Sequence, residues 1–97
     1  MIRSFRDSGT EDVFNGRSTK AARKVCPSDI LSIVRRKLDL LDSAEALMDL
    51  RVPPGNRLEA LSGDRKGLHS IRINQQYRVC FSWMSEGPET VEIADYH

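Results

Sequence analysis

The run "HSIRINQQYRVCFSW", residues 69–83, decides most of what this chain can build. Ile71 and Ile73 alternate with Arg72 and Asn74, and after "NQQ" Val79, Phe81 and Trp83 alternate with Arg78, Cys80 and Ser82. A period of two belongs to a strand with one buried and one polar face, so the run reads as a β-hairpin. "EGPE" supplies a second turn, and Val91 with Ile93 give a third strand that delivers Asp95, Tyr96 and His97. Leu58 and Leu61 point to a further strand running into a charged turn over residues 63–67. An antiparallel meander results.

Upstream the period is helical. After Pro27, Ser28 or Asp29 can cap a helix whose apolar positions Ile30, Leu31, Val34, Leu38 and Leu41 recur every three to four residues. Asp42 with Glu45 resembles a capping box, predicting a short second helix through Leu47 and Met48 that Pro53 ends. Val13, Phe14, Ala21 and Ala22 suggest one or two short helices nearer the start, with Ile2 and Phe5 in a first strand. Helices first and strands later argue for a compact α+β fold, with N-terminal helices packed on one face of a mainly antiparallel sheet.

At 97 residues the chain is read as one domain, 1–97, near the lower end of what buries a self-sufficient core. No apolar run reaches the roughly 20 residues that span a bilayer, and no secretory h-region follows the first residues. A cytoplasmic location and no membrane partner are expected. Cys26 and Cys80 read as free thiols. The chain lacks a phosphate-binding glycine loop, paired histidines at metal-ligand spacing and a nucleophile elbow. Neither a cofactor nor a metal is expected, and His69, on the parity of Ile71, reads as a packed or edge histidine.

The net charge of +1 conceals segregation. Residues 1–37 carry nine Lys and Arg against four Asp and Glu, and residues 51–78 carry six against two; residues 38–50 and 79–97 carry four acids each and no base. Two basic segments of this kind are either solvated faces or the footprint of a polyanion. Period-two alternation puts Arg72, Asn74 and Arg78 together on the face opposite the apolar one, with little acid between them. Arginines so placed fork hydrogen bonds onto phosphate, or they solvate an open sheet or meet an acidic protein.

The run from "PPGNRLEALSGDRKG" through "YRVCF" to "VEIADYH" resembles the HigB-type toxins of the RelE/ParE superfamily, killer proteins of bacterial toxin-antitoxin modules. The order and spacing of "GDR", "YRVCF" and "DYH" carry the likeness. It implies a ribosome-dependent messenger-RNA endonuclease in which a ribose 2′-hydroxyl attacks the adjacent phosphorus without a metal. It also implies a HigA-like helix-turn-helix antitoxin as partner, with operator DNA reached only through that antitoxin. On this resemblance His97 is the general base or acid, Asp95 orients or shuttles a proton, and Tyr96 bonds the phosphate or stacks on a base. Arg78 and Arg65 stabilise phosphate charge, and Arg72, Asn74 and Lys66 bind RNA. Arg17, Lys20, Arg23 and Lys24, with Arg35, Arg36 and Lys37, are expected to meet ribosomal RNA. Ser62 and Asn74 stand where some relatives carry a lysine and an arginine, so the division of acid and base roles stays open. A ParE-like gyrase inhibitor without chemistry, and a toxin of weak catalysis acting through its antitoxin complex, share the fold.

Overall fold

The computed structural model describes residues 1–95; Tyr96 and His97, with the roles expected of them, lie outside the described residues. Helices α1 (Ser8–Phe14), α2 (Lys20–Val25) and α3 (Leu31–Ser43) precede strands β1 (Glu59–Ala60), β2 (Leu68–Arg72), β3 (Tyr77–Met84) and β4 (Gly87–Asp95). The strands form one sheet in the order β1-β2-β3-β4 with antiparallel neighbours, the meander expected from the alternation. The helices cover one face, where Val34, Leu38 and Leu41 of α3 meet Ile71, Val79, Phe81, Val91 and Ile93 in a single buried cluster.

Local chemistry starts each helix. The Asp7 carboxylate accepts the Thr10 N–H at 2.6 Å and caps α1. Thr19 caps α2 by accepting the Ala22 N–H at 3.0 Å, and its hydroxyl donates to Asp12 at 2.7 Å, tying the two helices together. They approach closely because residue 9 is glycine: a Cβ there would lie 2.5 Å from the Ala21 carbonyl oxygen and 2.9 Å from Val25 Cγ2. Helix α3 grows out of a 3-10 turn, Ser28–Ile30, and neither Ser28 nor Asp29 caps it with a side chain.

The expected capping box at Asp42 does not form. Helix α3 runs through Asp42 to Ser43, and the Asp42 carboxylate instead accepts the Ile2 N–H at 2.8 Å. The following turn, Leu47–Arg51, is 3-10, and Asp49 holds its start by accepting the Glu45 and Ala46 N–H groups at 3.1 and 3.0 Å. With Asp42 engaged by Ile2 inside α3, the cap falls to Asp49.

The outer edge of β4 is covered by the first residues of the chain. Arg3 N–H donates to the Pro88 carbonyl, Val91 N–H to that of Ser4 and Arg6 N–H to that of Val91, at 2.8, 3.1 and 2.9 Å. Phe5 thereby pairs in parallel with Val91, and the buried Thr10 hydroxyl accepts the Ile93 N–H at 3.1 Å. An edge that would otherwise offer free backbone groups is closed.

Between α3 and β1 the chain is fixed by one buried amide. Asn56 is fully buried; its Nδ2 donates to the carbonyls of Leu50 and Val52, both at 3.2 Å, and its Oδ1 accepts from Lys37 Nζ. Burial, and after it the neighbouring Arg36, pushes the Lys37 pKa down. Lys37 therefore turns inward, away from the RNA-facing role expected for it, because an unpaired buried amide costs more than a lysine's excursion. His69 is packed as expected, its ring stacked on Phe81 at 6.2 Å.

Two substitutions test this packing. Gly9→Ala drives a methyl into backbone and should cost about 1–3 kcal/mol. Asn56→Ala strands two carbonyls and an ammonium and should cost about 2–3 kcal/mol. Urea unfolding monitored by Trp83 fluorescence reads both, with an unchanged slope if only stability is altered.

Candidate functional site

Alternation along β3 sends Arg78, Cys80 and Ser82 to the face away from the helices, and the pairing register decides what they meet. Arg78 lies between Arg72 of β2 and Ala94 of β4, and Cys80 between Ser70 and Glu92. Arg72 and Arg78 are thus direct cross-strand partners, an arrangement that repels unless each guanidinium is directed elsewhere. Arg72 donates through Nε to the Asn74 carbonyl at 3.1 Å. Arg78 donates through Nε to Ser70 Oγ and through Nη2 to the Arg57 carbonyl, both at 2.8 Å, with Glu59 Oε1 at 3.7 Å. Its side chain is only 14% exposed, held on three sides.

Arg65 reaches the same face from the 3-10 turn Gly63–Arg65. Its Nη1 lies 3.4 Å from Glu92 Oε1 and 3.5 Å from Cys80 Sγ. Arg6, from the segment that closes β4, brings its own Nη1 to 3.5 Å from the same Glu92 oxygen. Glu92, 15% exposed, therefore gathers two guanidinium groups. Cys80 is the next position after Arg78 on this face, roughly 7 Å along the strand. Arg65 and Arg78 are neighbours on one surface although a hairpin separates them in sequence.

This corrects the picture of an arginine face with little acid. Glu59 and Glu92 are drawn in by pairing, opposite Ser70 and Cys80 respectively, and such long-range pairing leaves no mark in local charge. Glu92, flanked by the buried Val91 and Ile93, had the right parity to be found from sequence. Ser70, whose hydroxyl anchors Arg78, was also legible by parity. Arg6 had no local signal.

The remaining expected residues divide. The Asn74 side chain is engaged in the hairpin turn, its Oδ1 accepting the Gln76 and Tyr77 N–H groups at 2.8 and 2.7 Å. Asp95 pairs opposite Tyr77, on the parity of Ile93 rather than that of Arg78, and accepts from Gln76 Nε2 at 3.2 Å. Lys66 is exposed beside Arg65. Arg17, Lys20, Arg23 and Lys24 lie at or between α1 and α2, in the layer that covers the opposite face. The chain thus carries two basic surfaces, one on each side of the sheet. The sheet face has the chemistry of an anion site: Arg65, Arg72 and Arg78 lie together on it, and a guanidinium with five N–H donors can fork two bonds onto one phosphate.

Residues 3–97 match the family of HigB-like toxins, described as RelE-like toxin of type II toxin-antitoxin system HigB. The chain is 43% identical over 84 residues to "Toxin HigB-1" of Vibrio cholerae serotype O1, covering 87% of this chain and 85% of that protein. It is 26% identical over 97 residues to "Endoribonuclease HigB" of Proteus vulgaris, covering 100% of both. Its fold superimposes on a chain of the YoeB-YefM complex from Staphylococcus aureus with a TM-score of 0.60, covering 100% of this chain and 98% of that one at 14% identity. No helix among the described residues is long and apolar enough to cross a membrane.

Glu92→Gln should lower stability by about 1–2 kcal/mol, since it removes the charge that holds Arg6 and Arg65 together. The difference from the unsubstituted protein should shrink as salt is raised. Urea midpoints at low and high ionic strength check both statements.

Proposed function

Because the chain belongs to the HigB-like family of RelE-like toxins of type II toxin-antitoxin systems, we propose that it is an endoribonuclease that cuts messenger RNA on the ribosome. The observation that carries this reading is the gathering of Arg65 and Arg78 on one sheet face, Arg78 held by Ser70 and the Arg57 carbonyl and Arg65 beside Glu92. In-line attack by a 2′-hydroxyl piles charge onto the phosphoryl oxygens, and pre-oriented guanidinium groups meet that charge without reorganising, often the largest single contribution to catalysis.

The residues divide the work accordingly. Arg78, gripped by Ser70 and the Arg57 carbonyl, is the fixed donor, and Arg65 is the second, positioned by Glu92. Arg72 and Lys66, beside them, hold the flanking backbone. His97, in the "DYH" motif, is the proton-transfer group, as an imidazole with an ordinary pKa of about 6.5 suits that role near neutral pH. Tyr96 serves the phosphate or a neighbouring base, and Asp95 orients the motif. The cognate antitoxin neutralises the enzyme and connects it to operator DNA. "Endoribonuclease HigB" of Proteus vulgaris, aligned over its whole length, supports the assignment of nuclease rather than topoisomerase inhibitor.

Primer extension on a defined messenger, with and without ribosomes, tests this. The unsubstituted protein should cut only in their presence. His97→Ala should lower the rate by about 100-fold or more, and Arg78→Ala by a similar factor; Arg78→Lys, which keeps the charge but loses the fork, should recover only part. Rapid cutting of naked RNA would refute the ribosome requirement. Growth arrest by a folded protein that cuts nothing would refute the nuclease reading in favour of topoisomerase inhibition.

A further inference from the structure

On the helical side of the molecule, α1, α2 and the start of α3 enclose a groove of about 160 Å³ that the proposed nuclease does not use. The buried Val13, Ala22 and Cys26 form its floor, and the exposed Leu31, Arg23 and Arg35, with Arg17, line its mouth. The floor is apolar down to a buried thiol, whose pKa is pushed up by its burial and then by the nearby Asp29. Leu31 and Ile33, in the first turn of α3, are each 38% exposed.

The mouth is charged and lopsided. No acidic residue lines the groove among the described residues. Arg17 has Asp12 at 3.4 Å, a carboxylate that also receives the Thr19 hydroxyl. Arg23 and Arg35 are exposed. Arg35 is laid across residue 16, where a Cβ would come within 3.2 Å of its Nη2; the glycine there, at φ +75°, keeps that path open. A groove of this size matches a cavity that takes a benzene-sized group, about 150 Å³, and Arg23 and Arg35 beside it, with Arg17 only partly neutralised by Asp12, favour carboxylates.

We propose that this groove docks an acidic peptide segment of the antitoxin, which inserts one leucine- or phenylalanine-sized side chain between α1, α2 and α3 and pairs flanking Asp or Glu residues with Arg17, Arg23 and Arg35. RNA fits less well: phosphates would satisfy the arginines, but a base turned into the groove would bury polar edges against Val13, Ala22 and Cys26, which cannot satisfy them, whereas an aliphatic or phenyl side chain has no such edges. Arg17 and Arg23, which sequence reading gave to RNA, pass on this geometry to a protein partner. The inference rests on membership of a toxin-antitoxin family and is independent of the nuclease reading.

The test is the affinity of the purified cognate antitoxin for the toxin, by calorimetry, for Arg23→Glu/Arg35→Glu and for Leu31→Asp. All three positions are exposed, and matching thermal melts confirm folding. The double variant should weaken binding by about 100-fold, equivalent to two lost charge pairs at tenfold each. Leu31→Asp should weaken it by about tenfold or more through loss of the anchor contact. Arg51→Glu, exposed and outside the groove, should change it little. Unchanged antitoxin affinity in the double variant overturns the proposal, and so does loss of ribosome binding with antitoxin affinity intact, which would make the groove an RNA surface. The expected pattern in a protein that cuts no RNA would remove the nuclease reading and leave the groove standing.

Discussion

Strand β3 is paired on both sides, so each of its residues must commit to a face. Val79 and Phe81 go to the helices and are wholly buried; Arg78 and Cys80 go to the opposite side. A slip of one residue would carry the guanidinium into the core and the phenyl ring out, which no compensation available to so small a protein could offset. The core and the candidate site are therefore two consequences of one register. Strand β4 keeps step only by a bulge: Pro88 and Val91 are both buried although three positions apart, and the extra residue needed for this is absorbed where the ladder shifts between Cys80 and Ser82. Thr90, with a left-handed φ of 51°, bears the strain of that adjustment.

Once the register is set, the second face has a problem of like charge. Arg72 and Arg78 are cross-strand partners, and Arg65 and Arg6 arrive beside them from elsewhere. The solution is to hold each guanidinium in a fixed direction and to neutralise only part of the charge, through Glu59 and Glu92. Ser70 and a backbone carbonyl orient Arg78, and Glu92 shares one oxygen between Arg6 and Arg65. Positive charge remains, oriented and already stripped of part of its water, and that is the condition under which a guanidinium is most useful to a phosphate. The helical side treats its charge differently, with arginines at the rim of an apolar groove. Two basic surfaces of unlike chemistry follow, one suited to a phosphodiester and one to an acidic peptide.

Much of the fold was legible. The change from a period of three to four residues to a period of two located the helices and the meander, and parity alone assigned Arg72 and Arg78 to one face. Predictions based on local hydrogen-bond chemistry fared less well. Asp42 looked like a cap but sits inside α3 and bonds Ile2, and Lys37 looked like a surface cation but is spent on Asn56. In both cases a distant backbone or side chain outcompeted the nearby partner, and a spacing rule cannot see a competitor that lies far along the chain.

The sequence by itself determined the fold class and the face of the residues in β2, β3 and the end of β4, because burial periodicity is a local property that each segment carries with it, while the bulge in β4 broke that period. Tertiary structure alone decided the company each charge keeps. Arg65 meets a carboxylate 27 residues away, Arg6 joins it by closing an edge at the other end of the sheet, and three arginines converge on a groove that exists only where helices cross. Those meetings follow from which surfaces must be buried against one another, a requirement of the whole chain that no single stretch of it expresses.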